Sequence, residues 1–366
     1  MNRILIYCRS VALLALPVLS LSTARAEVFC VGNAMELQSA LWQAQSNGEN
    51  DEIRVQPGHY STEANGSLGI GFHYVTTEAR LLAISGGWND TCVGTDGTAT
   101  AFDTVLDGGG VNQVMVIAAG DANAIIVVAD LTIQSGYQPS EALPAGGIHI
   151  KGFGQGNQAG LVVIDRVAFI ENSAIFGSAL TIESQRRVEV ANSLFRDNTT
   201  NHSSSVIIAR DAGSSGASYF INNTVVNNVA LTADGSAGVA MFNPSGNVAA
   251  NNVFWNNGNY DLVMYAANGS ISNNHLLHNI VQNALGFGGT NIGNSTGDPK
   301  LGSDFSLLPG SPGIDAGYMP PGTPNPPVEL DWVLRDFDIS RLKRNIGPSV
   351  DIGAFESSYL FSDRFE

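Results

Sequence analysis

Five short segments in the middle of the chain alternate between apolar and mixed positions: 148–151, 180–183, 206–209, 239–242 and 262–265. With the first and third positions facing inward, one inner column reads Ile148, Leu180, Val206, Val239 and Leu262. The other reads Ile150, Ile182, Ile208, Met241 and Met264. Side chains two apart share a face of a strand, so two wholly apolar columns in common register point to stacked strands. A second pattern recurs between these segments: a polar residue, about three mostly apolar residues, then a polar turn rich in Asn. Its anchors, Asp130, Arg166, Asn192, Asn223, Asn252 and Asn274, are spaced by 36, 26, 31, 29 and 22 residues. This variable period fits one coil of three short strands with loops of differing length. Asn192, Asn223, Asn252 and Asn274 are expected to stack as a structural ladder at a turn, since Asn tolerates left-handed backbone and stacked amides can bond one another.

Leu37, Ala40, Leu41 and Ala44 fall at helical spacing. Asn33 and Glu36 have capping-box spacing and Gly48 supplies a stop, so a helix is expected over 33–47. It precedes the strand at 53–56, where it can cover the open end of a solenoid. No helices alternate with the strands, which excludes a doubly wound sheet, and a propeller needs a more regular repeat. The expected fold is all-β: a single right-handed parallel β-helix with an N-terminal capping helix.

The first 26 residues change the compartment. Arg3 and Arg9, the apolar run 11–21 and Ala24-Arg25-Ala26 have the form of a cleaved signal peptide. The run is too short to span a bilayer comfortably, and no other segment approaches a transmembrane length. A secreted or outer-surface protein is therefore expected. Cys8 leaves with this segment, so Cys30 and Cys92 are expected to pair as a disulfide. Removing Arg3, Arg9 and Arg25 leaves 17 − 3 = 14 basic against 33 acidic residues, a net charge of −19. Such a surface disfavours nucleic acid. No cofactor is called for; acidic loops leave calcium open. Oligomeric state is not readable.

The repeats over about 130–280, with Leu37-Gln-Ser-Ala-Leu41 and the strand 51–60, resemble the pectate-lyase-like right-handed β-helix superfamily. Ile84-Ser-Gly-Gly-Trp88 and Thr104-Val-Leu-Asp-Gly-Gly109 resemble a segment of a secreted bacterial subgroup. Asp298-Pro-Lys-Leu301, Gly310-Ser-Pro-Gly-Ile-Asp-Ala-Gly317 and Asp351-Ile-Gly-Ala-Phe-Glu356 are similar to the choice-of-anchor Q domain. In that family an Asp-x-x-Gly-x-x-Arg segment precedes the last motif; here Asp338 and Arg344 fit and Arg341 stands at the glycine. The resemblance divides the chain into a signal peptide (1–26), a β-helix (27–297), a C-terminal cap (298–356) and a tail (357–366). Asp315, Arg344, Asp351 and Glu356 are expected to form an ion network closing the last coil.

The resemblance implies a fold more than a reaction. The paired-Asp, Gly-His-Gly and Arg-x-Lys motifs of the superfamily's polygalacturonases are not found, nor is the acidic calcium cluster of its lyases. No zinc or phosphate-loop motif is read either. Weak catalytic candidates are the outward residues His149, Lys151 and Glu183, with Arg210 and Asp211 just beyond the third strand; a base and an acid beside a sugar chain is one reading, an ordinary ion pair the other. Phe242 and Tyr265 form a candidate aromatic step for binding sugar. The expected function is binding of polysaccharide or another extracellular polymer. A polysaccharide lyase or glycosidase, and a passive spacer or adhesin, are the alternatives.

Overall fold

The computed structural model describes residues 26–357, apart from 66–70, 122, 142, 153–159, 185, 211–215, 233–237 and 266–269. Residues 1–25 of the expected signal peptide, Asp211 and the residues from 358 onward therefore lie outside the described residues. The helix is shorter than expected, Ala34–Ala44 (α1). Asn33 Oδ1 accepts the Glu36 N–H at 3.0 Å, and Glu36 Oε2 accepts the Gly32 N–H at 2.8 Å. These reciprocal bonds satisfy amides that a helix start leaves open. Leu37, Leu41 and Ala44 are buried against the first coils.

The strands that follow form a parallel β-helix with three main faces and a short fourth ladder from Tyr137–Gln138 to Val229–Ala230. The first face runs from Ala26–Val31 through Asn50–Val55 and Leu81–Ser85 to Asn274–Leu277 and Asn291–Ile292, every pairing parallel. The second begins with Gly58–Ser61 and Thr104–Asp107 and ends at Ile280–Val281. The long strands Ile125–Gln134 and Leu161–Ile170 run through both. The third is an eight-stranded sheet from Phe72–Thr76 to Ala284–Leu285. Its pairings place Ile150, Ile182, Ile208, Met241 and Met264 in one register, and all five are buried. Burying each such side chain is worth about 1.5–3 kcal/mol, and every coil repeats the gain on its neighbour.

Two columns of left-handed residues turn the chain at its corners. Asp130, Arg166, Asn192, Asn222, Asn251 and His278 have φ between 50° and 57° where the first face meets the second. Ser135, Glu171, Asp197, Asn227 and Asn256 have φ of 50–57° where the second face ends. Within most of these coils the next residue is a buried Asn. Asn172, Asn198, Asn228 and Asn257 pass one Nδ2–H to the next Oδ1 at 2.8–3.0 Å, and Asn257 ends the series on Asp261 Oδ1. Asn223, Asn252, Asn279 and Asn294 form a second ladder at 2.9–3.1 Å.

The expected single ladder is thus corrected. Asn223 and Asn252 share one, but Asn192 stands one residue earlier, in the left-handed column. Asn274 belongs to a different strand, where it accepts Asn247 Nδ2 at 2.9 Å. In the doublets 222–223 and 251–252 the first Asn takes the left-handed corner and the second joins the ladder, so one letter serves both places.

The C-terminal segment does not simply close the last coil. From residue 316 to 356 it lies along the first left-handed column. His278 Nδ1 and the Ala316 carbonyl are 2.8 Å apart, Tyr318 N–H donates to Asn251 Oδ1, and Asn222 Nδ2 donates to the Asp351 carbonyl. Arg344 Nε donates to Asn192 Oδ1 at 2.9 Å, and Arg341 Nε lies 3.3 Å from Asp130 Oδ1. Arg341, where the resembled motif carries glycine, has a left-handed backbone at φ 61°. Arg344, Asp351 and Glu356 are buried, while Asp315 is only half-buried, its N–H donating to Asp351 Oδ1 at 2.7 Å. Cys30 and Cys92 form a disulfide.

Candidate functional site

The exterior of the third face carries a column that reads, coil by coil, Val75, Ala118, Lys151, Glu183, Ala209, Phe242 and Tyr265. Parallel strands hold successive positions about 4.8 Å apart, so the column is a straight track along the solenoid axis. Lys151 and Glu183 are paired neighbours in it. The hydrogen bond to Glu183 comes from elsewhere: His149 Nε2 lies 2.8 Å from Glu183 Oε2. The bond from His149 leads in holding the Glu183 carboxyl below its ordinary range, with the charges of His149 and Lys151 adding and partial burial opposing.

His149 points outward yet is only 4% exposed, and its column neighbour Thr181 is 2% exposed. The chain at Gly177 folds over Thr181. Gly177, at φ 60°, sits so close that a Cβ there would lie 1.9 Å from Thr181 Oγ1. Thr181 Oγ1 has no hydrogen-bond partner. Thr181 and Gly177 were not singled out from the sequence, because alternation places position 181 outside without saying that the chain covers it. The covered His and exposed Glu leave Glu183 and Lys151 as the polar groups that face solvent here.

Arg210 does not join this group. It is buried, and its Nη1 donates to the Gly216 carbonyl at 2.6 Å. Burial lowers its pKa to about 10, Arg187 adds to the fall, and Tyr219 opposes it. Arg187 and Tyr219 belong to first-face strands, so Arg210 turns the corner away from Lys151. The expectation assumed that a residue following a strand stays on that strand's side, whereas the Arg210 side chain packs toward Gly216 and Tyr219.

Phe242 and Tyr265 are 36% and 40% exposed. Their rings stack with centroids 5.7 Å apart and planes 16° from parallel. Ala209 separates this platform from Glu183 and leaves a shallow gap one coil wide. Among the described residues no group of three or more His, Cys, Asp or Glu is arranged to hold a metal ion. No described helix is long and apolar enough to cross a membrane. A second hollow, of about 460 Å³, lies between the second face and the C-terminal segment. Phe102, Phe305 and Phe355 line it, and Arg196 at its edge already pairs with Asp197 at 2.6 Å.

No protein-family model, curated protein or solved structure matches the chain. The likeness to the pectate-lyase-like superfamily and to the choice-of-anchor Q domain therefore stays a resemblance in motifs.

Proposed function

We propose that this is a secreted or surface-associated bacterial protein whose third face binds an extracellular polysaccharide without cleaving it. The observation that carries the reading is the exposed, parallel stack of Phe242 and Tyr265 in register on a straight track. Aromatic faces pack against the apolar faces of sugar rings, and a flat pair in line with the axis suits an extended chain. Glu183 and Lys151, further along the track, supply an acceptor and a donor for hydroxyl groups. The Cys30–Cys92 disulfide fits an oxidising compartment, in keeping with the signal-like residues 1–26.

The test is a panel of neutral and acidic polysaccharides with the mature protein, with and without calcium. Binding is expected to weaken about tenfold in Phe242→Ala and in Tyr265→Ala, the loss of roughly 1.4 kcal/mol of stacking and burial. No new chain ends should appear. Binding indifferent to both substitutions overturns the assignment of the platform. Release of unsaturated or reducing ends, abolished by Lys151→Ala or Glu183→Ala, would make the protein a lyase or glycosidase; the His149–Glu183–Lys151 group favours that second reading. An absence of glycan binding leaves a spacer or adhesin.

A further inference from the structure

The C-terminal segment seals a group of charged side chains that polymer binding does not use. Arg344 is enclosed. Its Nη2 donates to the Gly353 carbonyl at 2.8 Å, while Nη1 makes no hydrogen bond and lies 3.6 Å from Glu356 Oε2. Three buried carboxyl groups surround it: Asp338, Asp351 and Glu356. From the coil side Asp165 also bears on Arg344, but that carboxylate is already held by Arg166 and by Asn192 Nδ2. Half-buried Asp315 stands next to Asp351 and adds a further negative charge. One cation thus faces three enclosed carboxyls, and ionising all of them in a medium with little water is costly.

The donors are unequally shared. Asp338 accepts the N–H groups of Leu342 and Glu356 at 2.7 and 2.8 Å. Asp351 accepts the N–H groups of Asp315 and Ser357 at 2.7 Å and the Ser357 hydroxyl at 2.6 Å. Glu356 receives only the Asp351 N–H at 3.1 Å and the Ile346 N–H at 3.5 Å. Donors favour the charged form of a carboxyl, so Glu356 is the member least able to ionise.

We propose that docking of the C-terminal segment on the coil takes up one proton from solvent, carried by the Glu356 carboxyl, which makes the segment a latch fastened in mildly acid medium and loosened toward neutrality. Burial pushes the Glu356 carboxyl up from its ordinary 4.5 to about 7; the Asp351 charge adds to this, while Arg344 and the backbone donors oppose it. The folded value lies above the unfolded one. The contribution to docking is therefore complete below about 4.5, declines as pH rises, and is lost once pH has passed about 7. What loosens is the cover over Asn192, Asn222 and Asn251 on the first corner.

Hydrogen exchange on the full mature chain tests this. The amides of Gly353 and Ala354, which donate to the Asn251 carbonyl and to Thr224 Oγ1, report docking. After correction for intrinsic exchange, their protection is expected to fall on the order of 100-fold between about pH 5 and about pH 7.5. Glu356→Gln, a permanent mimic of the protonated form, should hold protection high at both. Protection in the native protein that ignores pH, or an unchanged slope in Glu356→Gln, overturns the latch. Should that variant not fold, the infrared carbonyl band of a protonated carboxyl decides instead, read in an Asp51→Asn background to remove another buried acid. The band must be present near pH 5.5 and gone by about pH 8.5; its absence at the lower pH overturns the proposal.

Discussion

Asn227 and Asn228 carry the same side chain and do different work. Asn227 sits on a corner at φ 56°, and its Oδ1 accepts exposed Asn256 Nδ2 at 2.8 Å. Asn228 is buried. It donates to Asn257 Oδ1 and to the Phe195 carbonyl, and its own Oδ1 accepts both the N–H and the Nδ2–H of Asn198. Truncation at 228 leaves several buried groups without partners, each costing about 1–3 kcal/mol. Asn228→Ala is expected to destabilise the protein by at least about 3 kcal/mol, and Asn227→Ala by about 1 kcal/mol, chiefly for the left-handed backbone. Urea unfolding of both variants checks the ratio, and equal losses would contradict the division of roles. Reading the doublet from sequence was limited by this likeness. A one-residue shift swaps a corner for a ladder position, which places Asn192 beside Asn223 and Asn252 in a sequence reading; Asn274 shares only their letter, on a different strand.

At the scale of elements, the strands of the third face were legible and their surroundings were not. Period-two alternation with no polar residue in either inner column leaves one register, and the pairings of Ile150, Ile182, Ile208, Met241 and Met264 follow it. His149 and Arg210 were misjudged because their burial is set by contacts that alternation does not encode. The beginning of the solenoid was readable for a different reason: α1 carries its own start signal in Asn33 and Glu36, and two cysteines have one pairing. That disulfide joins residues 62 apart, linking the first strand to the loop beyond Leu81–Ser85. Closing a loop of this size in the unfolded chain is worth about 2–4 kcal/mol. Cys30→Ser with Cys92→Ser should lower the urea midpoint accordingly, with exchange rising first at α1 and the strand Ala26–Val31. A loss spread evenly over all coils would show that the bond does not act locally on this end.

Across the whole molecule, the C-terminal segment was the least legible part, since residues 316–356 carry no period. They meet partners as far off as Gly86 and Asp130, so no local pattern announces where they lie. Through Glu356 they share with the coils the charges that set how stability depends on pH. Asp107, Asp130 and Glu183 have folded values below their ordinary ones. Burial is the largest influence on Asp107 and Asp130 and works upward. It is outweighed by Gln134, Gly109 and His59 at Asp107, and by Arg166 and Arg341 at Asp130; the His149 bond leads at Glu183. Their contribution is present above the unfolded value and lost as pH falls through the folded one. Asp51 and Glu356 work in the other direction, as do Asp315 and Asp338 with smaller rises led by burial. Burial raises Asp51 to about 6, with Glu27, Glu49 and Glu78 adding and Asn47 opposing, and its Oδ2 has no partner. Stability from Asp51 and Glu356 declines between their ordinary values and about 6 and 7 respectively. The self-repulsion of an acidic surface reinforces that decline. The urea midpoint should therefore peak near about pH 5 and fall toward neutrality, rather than hold to pH 8 as in many proteins. Asp51→Asn should raise the midpoint at about pH 7.5 and leave it nearly unchanged near pH 4, and Asp51→Asn with Glu356→Gln should flatten most of the neutral side. A native midpoint that climbs steadily to pH 8 would mean that the depressed carboxylates outweigh the raised ones, and that the enclosed charges around Arg344 are better solvated than their burial implies.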